Sequence, residues 1–467
     1  MAKYHKFVGG PTLPQMLKLL MPPLNTKFGK YATVNKILAM SVRAAIAGGL
    51  VAMIAPHAVQ ASGFSVPELS TAGLSTANAM VANPKEIGAF AYNPAAMGFH
   101  DQSSLALGGI FIDANMSVDT ASGKHDSDAP QWVVAPIFQV AAKVNDQWWL
   151  GLGAGAPFGL ETRWSEGTFP RLSGMIVAPL PPPLGPTALP TGNQPTMSKL
   201  QVLDTSPTAT YRINDLVSVS AGLDYYWAKE AHLNSSLTDL QGSGSGWGWN
   251  LGIMAQKAAW TFGANYHSAA TIAVDGTYTP LNQTLVIIGR LPPGQPAKLD
   301  LNLPWRLQVG VRYAINPQLA VEADWTRIGW SEFQDITVIG RSNKQVISTD
   351  TNDWEDADAI RIGLTYDIRP TTQLRFGYSY DETGQPDAHF SARVPDKDRQ
   401  LFSLGVAQDL GQGFAVEAGY MYVATKDRDY SGDTPYVGQS DINGTTAING
   451  NYKSDVNLFA VQVNKTF

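Results

Sequence analysis

Apolar and polar side chains alternate along much of the chain, with every second residue apolar. The alternation is clearest in five stretches: residues 307–313, 319–325, 361–368, 374–380 and 414–423. A period of two with one wholly apolar face is the pattern of β-strands. Charged residues such as Arg312, Glu322 and Asp324 fall on the polar face of these strands. We therefore predict that they point into the interior of a barrel whose outer face is apolar.

The connections between these strands alternate between short and long. Six short turns are predicted at residues 145–147, 214–215, 257–258, 316–318, 369–371 and 411–413. Seven long, polar or Pro/Gly-rich connections are predicted near residues 121–129, 165–197, 238–246, 280–299, 342–355, 381–398 and 431–451. Outer-membrane barrels have an even number of strands, short periplasmic turns and long outer loops. We predict an all-β membrane protein in which residues 103–467 form an antiparallel transmembrane β-barrel of about fourteen strands.

A soluble β-sandwich would show the same alternation, but the aromatic residues favour the membrane barrel. Five tryptophans lie near predicted strand ends, where membrane barrels carry aromatic girdles: Trp148, Trp149, Trp227, Trp325 and Trp330. Only 15% of the 467 residues are charged, and the mean hydropathy is -0.10. The net charge of -6 gives no reason to expect nucleic acid as a partner. The chain has no Cys, which excludes thiolate metal sites and Cys nucleophiles.

The first part of the chain predicts a targeting segment. Residues 37–54 are mostly apolar and follow three lysines, and Val59-Gln60-Ala61 offers small residues at a cleavage site. We therefore predict a signal peptide over residues 1–61. An uncleaved membrane anchor is the alternative, because the apolar run is close to the length that spans a bilayer. Residues 1–39 are long for the start of a signal peptide, so a translation start at Met40 is a second alternative.

The segment before the first strand, residues 62–102, does not alternate. It is rich in Ala and is interrupted by Gly73, Pro84, Gly88 and Pro94, which suits a compact irregular segment better than a membrane strand. Because the segment directly precedes the predicted barrel, we predict that it plugs the lumen as an N-terminal hatch.

Seven residues of this segment resemble the hatch of the FadL/TodX family of outer-membrane transporters for hydrophobic compounds: Gly63, Phe64, Glu68, Gly73, Asn93, Pro94 and Ala95. Further similarity is spread over residues 62–467, for example at Leu303-Pro304-Trp305. One departure is Asn83-Pro84-Lys85-Glu86, which stands where the family usually shows an acidic pair. We therefore do not assign a role of that acidic pair to any residue of this chain.

The resemblance implies a passive route with a sideways exit. In this family the third strand is kinked inward, and the gap that it leaves lets a hydrophobic ligand pass into the membrane. The corresponding residues are Gly155, Pro157, Phe158 and Gly159. Their chemistry agrees, because Pro157 cannot donate a ladder hydrogen bond and the glycines relax the backbone. The family mechanism further implies capture among the outer loops and movement of the hatch end. A kinked strand without an opening is the alternative.

The implied ligand is a long-chain fatty acid or an aromatic or aliphatic hydrocarbon. A carboxylate in a dry site needs a basic partner, and the candidates are Lys229, Arg306 and Arg312. The alternative interpretation of each is a lumen charge that is paired with Asp or Glu. Where the family often shows Trp-Lys-Asp, this chain has Trp354-Glu355-Asp356, with no cation. This difference favours uncharged hydrocarbons.

Two further functions remain open from the sequence: a general porin for polar solutes, and a surface-binding or structural barrel. A plugged lumen argues against the porin. We expect no enzyme, metal or cofactor, because no HxH or HExxH spacing occurs and the adjacent His267 and Ser268 face opposite sides of a strand. The resemblance implies the outer membrane of a Gram-negative bacterium as the location. The partners that it implies are outer-membrane lipid, lipopolysaccharide and the barrel assembly machinery.

Overall fold

Strand pairing closes the sheet of this protein into a barrel. The structure is a computed structural model and describes residues 63–130, 132–438 and 441–467. Within these residues 14 antiparallel barrel strands pair in sequence order, and the first pairs with the last, from Ser104 opposite Thr466 to Asp119 opposite Asn451. The predicted fold class is therefore confirmed. The predicted signal peptide, residues 1–61, lies outside the described residues.

The strands in chain order are β1 (Ser104–Thr120), β2 (Gly123–Asp126), β3 (Trp132–Lys143), β4 (Trp148–Arg163), β5 (Met175–Pro179), β6 (Pro186–Pro190), β7 (Pro195–Arg212), β8 (Val217–Ser235), β9 (Thr238–Lys257), β10 (Trp260–His267), β11 (Ala270–Pro280), β12 (Gln295–Leu303), β13 (Trp305–Ala314), β14 (Leu319–Gly329), β15 (Asp335–Gly340), β16 (Val346–Thr351), β17 (Ala357–Arg369), β18 (Thr372–Asp381), β19 (Arg399–Gly411), β20 (Phe414–Thr425), β21 (Arg428–Tyr430) and β22 (Gly450–Thr466). Several of the barrel strands are interrupted. For example, β10 and β11 both pair with β9, and β14 and β15 continue one another, since β14 pairs with β13 and β15 pairs with β12. The described part of the chain also contains two short α-helices, α1 (Thr71–Ser75) and α2 (Gln283–Ile287). None of the described helices is long and apolar enough to cross a membrane.

Because side chains alternate along each strand, the charged ones face the barrel interior and the apolar ones face outward. Arg312, Glu322 and Asp324 are only 6%, 1% and 2% exposed, as predicted for the interior. Val309 and Trp325 lie on the opposite face and are exposed. A basic side chain facing lipid near the midplane would cost roughly 2–4 kcal/mol, so the inward placement is the favourable one.

The six predicted short turns all connect neighbouring barrel strands, but two predicted long loops contain barrel strand. Residues 342–355 include β16, which pairs with β15. Residues 238–246 were expected to form a loop and instead begin β9, which pairs with β11. The Gly-Ser repeat there is strand sequence because the backbones approach closely: a Cβ added at Gly244 would overlap the carbonyl oxygen of Ala273. Glycine here permits close strand contact.

Residues 63–99 attach to the inner face of the barrel through several strands. Asp324 accepts hydrogen bonds from the backbone amides of Met80 (2.9 Å) and Val81 (3.1 Å), and Glu322 accepts one from Ala82 (2.7 Å). The inward charges of β14 therefore serve as acceptors for the backbone of this segment.

Two of the five tryptophans that were expected in aromatic girdles are inside the molecule. Trp149 and Trp330 are fully buried, whereas Trp148, Trp227 and Trp325 are exposed. Adjacent positions in a strand face opposite sides, so Trp148 and Trp149 cannot both face lipid. Trp330 lies beyond the end of β14 and turns inward to a cluster of aromatic rings described below.

Candidate functional site

An upper cavity that is partly open to solvent lies beneath the outer loops. Most of its wall is apolar, with Leu160, Leu200, Val274, Leu301 and Phe333 contributed by different strands and loops. Burying apolar surface gains about 25 cal/mol per Å², so this cavity suits a hydrophobic molecule.

Basic side chains also line the upper cavity, and most of them are compensated. Lys199 contacts Glu230 at 2.6 Å, and Arg393 contacts Asp350 at 3.2 Å. These two bases could not be identified from the sequence, because their carboxylate partners are distant in the chain. Lys298 lines the same cavity.

Phe64 separates the upper cavity from a second one. Its ring is 2% exposed and packs edge-on against Trp330 (centroids 4.8 Å apart) and Phe333 (5.1 Å), with Phe158 at 5.9 Å. The preceding Gly63 has φ +66, and a Cβ there would overlap the ring of Trp354. Only glycine fits this position without strain or overlap.

The lower cavity lies between the N-terminal segment and a part of the barrel wall that includes β3, β4, β7 and β8. Its lining includes Ser65, Leu69, Phe138, Gly153 and Pro157. The cavity therefore reaches the region that the sequence analysis assigned to a lateral opening.

The barrel wall is interrupted at this region. β3 and β4 pair only from Lys143 opposite Trp149 to Phe138 opposite Ala154, although both strands continue further. Beyond that point β3 remains paired with β1, and β4 remains paired with β7 after a register shift between Gly155 and Phe158. The wall therefore lacks ladder hydrogen bonds between two neighbouring strands.

Two prolines lie at the edges that fail to pair. Pro136 is on β3 and Pro157 on β4. Neither has an amide hydrogen to donate to a neighbouring strand. The two prolines thus disfavour a continuous ladder of hydrogen bonds between β3 and β4 in this part of the wall.

The released edge of β4 pairs with the N-terminal segment instead of β3. The amide of Val66 donates to the carbonyl of Pro157, and the amide of Gly159 donates to the carbonyl of Phe64, both at 2.7 Å. Ser65 lies opposite Phe158 in this antiparallel bridge. The predicted opening residues and the end of the predicted hatch are therefore in direct contact.

The remaining predicted hatch residues hold the segment together or attach it to the barrel. The side chain of Asn93 donates to the carbonyls of Val81 (2.9 Å) and Ile253 (3.0 Å). Pro94 and Ala95 offer carbonyls to hydroxyls of the barrel wall at 2.9 and 2.5 Å. The Asn-Pro-Ala tripeptide is therefore a point of attachment.

Glu68 and Gly73 belong to a network inside the segment. Glu68 accepts from the side chain of Asn78 (2.9 Å), whose oxygen accepts from the hydroxyl of Tyr92 (2.8 Å). A Cβ at Gly73 would overlap that hydroxyl. Burial raises the pKa of Glu68, and the nearby Arg399 opposes this shift.

Glu86 forms a largely buried ion pair with the barrel. Its carboxylate contacts Arg375 at 2.7 Å, and Arg375 also contacts Glu417 at 2.8 Å. Despite its burial, the pKa of Glu86 lies below its usual value, mainly because of Arg375. This part of the segment is therefore fixed to the barrel by an ion pair.

The three predicted ligand-anchoring bases differ in their surroundings. Arg312 is buried and contacts Glu322 (3.2 Å) and the hydroxyl of Thr365 (2.6 Å), which matches the alternative of a paired lumen charge. Lys229 does not belong to the lining of either cavity described above. Arg306 lines the lower cavity, and none of the described residues forms a hydrogen bond or ion pair with it.

Comparison with known proteins gives related sequences over most of the chain. The long-chain fatty acid transport protein of Escherichia coli O6:H1 (strain CFT073) is 26% identical over 422 residues, which cover 80% of this chain and 89% of that protein. Outer membrane protein P1 of Haemophilus influenzae (strain Rd) is 22% identical over 475 residues, covering 89% and 97%.

Solved structures share the fold. A FadL homologue of Pseudomonas aeruginosa superposes with a TM-score of 0.71 at 19% identity, covering 87% of this chain and 100% of that one. The toluene transporter TbuX of Ralstonia pickettii gives a TM-score of 0.63 at 16% identity, covering 86% and 100%. The profile of the family described as "Outer membrane protein transport protein (OMPP1/FadL/TodX)" matches residues 51–176 and 186–467. The chain therefore belongs to the OMPP1/FadL/TodX family of transport proteins in the outer membrane of Gram-negative bacteria.

Proposed function

We propose that this protein carries hydrophobic small molecules passively from the outer loops to the interior of the outer membrane. The ligand enters the apolar upper cavity, the N-terminal end of the hatch (residues 62–102) moves away from β4, and the ligand continues into the lower cavity. It leaves sideways between β3 and β4. The observation that carries the proposal is the unpaired stretch of these two strands, which is covered from inside by Phe64, Ser65 and Val66.

The contacts of the hatch support movement of one end only. Residues 80–95 are held by two carboxylates of β14, by the ion pair of Glu86 with Arg375 and by the Asn-Pro-Ala attachment. The end at Phe64 is held by fewer polar contacts: two backbone hydrogen bonds to β4 and one from the amide of Gly63 to Asp396, together with ring packing. A ligand that binds better when this end is displaced would shift the population toward the open state. No energy source is needed for such a shift.

The substrate class is a long-chain fatty acid or an aromatic or aliphatic hydrocarbon. The relatives named above include a long-chain fatty acid transport protein and a toluene transporter. The apolar lining of the upper cavity supports both fatty acids and hydrocarbons as ligands, since burial of each methylene group gains about 0.8 kcal/mol of binding free energy. Outer-membrane lipid, lipopolysaccharide and the barrel assembly machinery remain the proposed partners.

A bulky side chain in the lower cavity tests this route. Gly153 lines the cavity, and a Cβ added there has no atom within 4 Å, so Gly153→Trp can fill the space without disturbing the backbone. Leu150→Trp is the matched control, because Leu150 is on the same strand and exposed on the outer face. Uptake of labelled long-chain fatty acid and of labelled toluene is measured in cells that lack their own transporter.

We expect Gly153→Trp to abolish uptake of whichever ligand the wild-type protein carries, and Leu150→Trp to leave uptake unchanged. Normal uptake by Gly153→Trp would exclude the route through the lower cavity. If the wild-type protein carries neither ligand, a surface-binding or structural role is favoured. Large steady currents in a planar bilayer would favour a porin.

A further inference from the structure

One wall of the lower cavity is polar, which transport of a bare hydrocarbon does not require. Five polar side chains from β7, β9, β10 and β13 line it: Asp204, Ser206, Asn250, His267 and Arg306. Asp224 on β8 lies behind them and contacts Ser206, Asn250 and His267. Asp224 and Asn250 are fully buried. Buried polar groups normally have hydrogen-bond partners, so any polar atom on this wall that lacks one needs an explanation.

Asp224 is the centre of the group and is well satisfied. One of its oxygens accepts from the side chain of Asn250 (2.7 Å) and lies 2.8 Å from the hydroxyl of Ser206, and the other contacts Nδ1 of His267 at 2.9 Å. The Ser206 hydroxyl also lies 2.6 Å from Asp204. A hydroxyl has one proton, so Ser206 can donate fully to only one of the two carboxyls at a time.

Four atoms or groups remain without a partner on this wall. Oδ1 of Asp204, Oδ1 of Asn250 and Nε2 of His267 are buried and form no hydrogen bond within the described chain. Arg306 has no hydrogen bond or ion pair with any residue that the structure describes. The wall thus offers carbonyl-type acceptors beside guanidinium donors. Leaving such groups unsatisfied on burial is unfavourable.

The chemistry of these groups selects among possible ligands. A hydrocarbon neither donates nor accepts hydrogen bonds and leaves all of them unsatisfied. A carboxylate accepts from Arg306 but cannot donate to Asp204 or Asn250. A hydroxyl group does both, because its proton bonds one of the acceptors while its oxygen accepts from Arg306.

We propose that the lower cavity is a binding site for hydrophobic compounds that carry a hydroxyl group, such as phenols or aliphatic alcohols. This inference rests on the proposed transport function and narrows its substrate class. The hydroxyl lies against Arg306 and Asp204 or Asn250, and the apolar body lies along the opposite wall near Phe138 and Pro157. Sites built to bind a hydroxyl reject analogues that lack it.

The test compares toluene with p-cresol, which differ by one hydroxyl group, in direct binding to the purified full-length protein. We expect p-cresol to bind at least about tenfold more tightly than toluene to the wild type. Arg306→Met and His267→Gln should reduce this preference to about twofold or less while toluene binding persists. Lys298→Met, in the upper cavity, is the control and should keep the preference. Heat-modifiable electrophoretic mobility verifies that each barrel is folded.

Equal binding of the two compounds by the wild type would overturn the inference, and so would a preference that survives in both variants. In either case we would conclude that water molecules, and not a ligand hydroxyl, form hydrogen bonds with the unpartnered atoms of the wall. Uptake in cells is measured separately with the same compounds. Loss of the preference with normal toluene uptake would leave the proposed transport function intact. A retained preference with no uptake of either compound would instead contradict the transport function.

Discussion

Truncation of Phe64 should release the end of the hatch. The ring is almost fully buried among four aromatic side chains, and its replacement by Ala removes that packing. Phe→Ala changes in packed interiors cost about 3–5 kcal/mol. Because about 1.4 kcal/mol corresponds to a factor of ten, the displaced population in Phe64→Ala should rise roughly 10²–10³-fold.

Thiol labelling measures this population directly. The chain has no Cys, so Ser65→Cys places a single buried thiol beside Phe64. A small water-soluble methanethiosulfonate should label it slowly, and about 10²–10³-fold faster when Phe64→Ala is added. Ser75→Cys is the control, since Ser75 is buried in α1 and should be labelled equally slowly in both backgrounds. An unchanged rate at position 65 would refute the argument that ring packing holds this end.

Two further predictions concern charge. Burial raises the pKa of Glu68; the packed state therefore binds its proton more tightly than the unfolded chain does, and this contribution to stability is lost as pH rises through the raised pKa. The labelling rate of Ser65→Cys, corrected for thiolate content, should rise with pH when Glu68 is present and should not rise when Glu68→Gln is added. Identical pH profiles of the two proteins would contradict this prediction. Arg375→Met leaves Glu86 and Glu417 buried without their cation and should lower the unfolding free energy in urea by about 3–5 kcal/mol. The surface variant Arg341→Met should change it by about 1 kcal/mol or less, and a similarly small effect of Arg375→Met would show that the ion pair does not anchor the hatch.

The barrel could be predicted from the sequence because its rules are local. Alternation, turn residues and the spacing of connections are properties of neighbouring residues, and they correctly indicated the strands, the short turns and the inward charges. Residues 238–246 were misjudged as a loop for the same reason. The Gly-Ser repeat has the composition of a loop, and the close approach of β11 that explains it is a long-range contact.

The candidate site depends on contacts that no local pattern encodes. Trp330 lies near a strand end like a girdle residue, but it turns inward to meet Phe64, which is more than two hundred residues away in the chain. The pairing of Arg375 with Glu86 and the unpaired state of Arg306 likewise depend on which strands become neighbours. Proline at position 157 indicated a disturbed strand, whereas the matching proline at 136 gains meaning only once β3 and β4 lie side by side.

A reversible cross-link between the hatch and β4 tests the central claim most directly. Ser65 and Phe158 form a pair flanked by two backbone hydrogen bonds, which is the arrangement of a non-hydrogen-bonded antiparallel pair. Such Cα atoms are about 4.5 Å apart, within the range of about 4.4–6.8 Å that a disulfide spans. Ser65→Cys combined with Phe158→Cys should therefore form the only disulfide in the chain. Ligand uptake should stop in the oxidised protein and return on reduction, whereas equal uptake in both states would show that the hatch end does not need to leave β4.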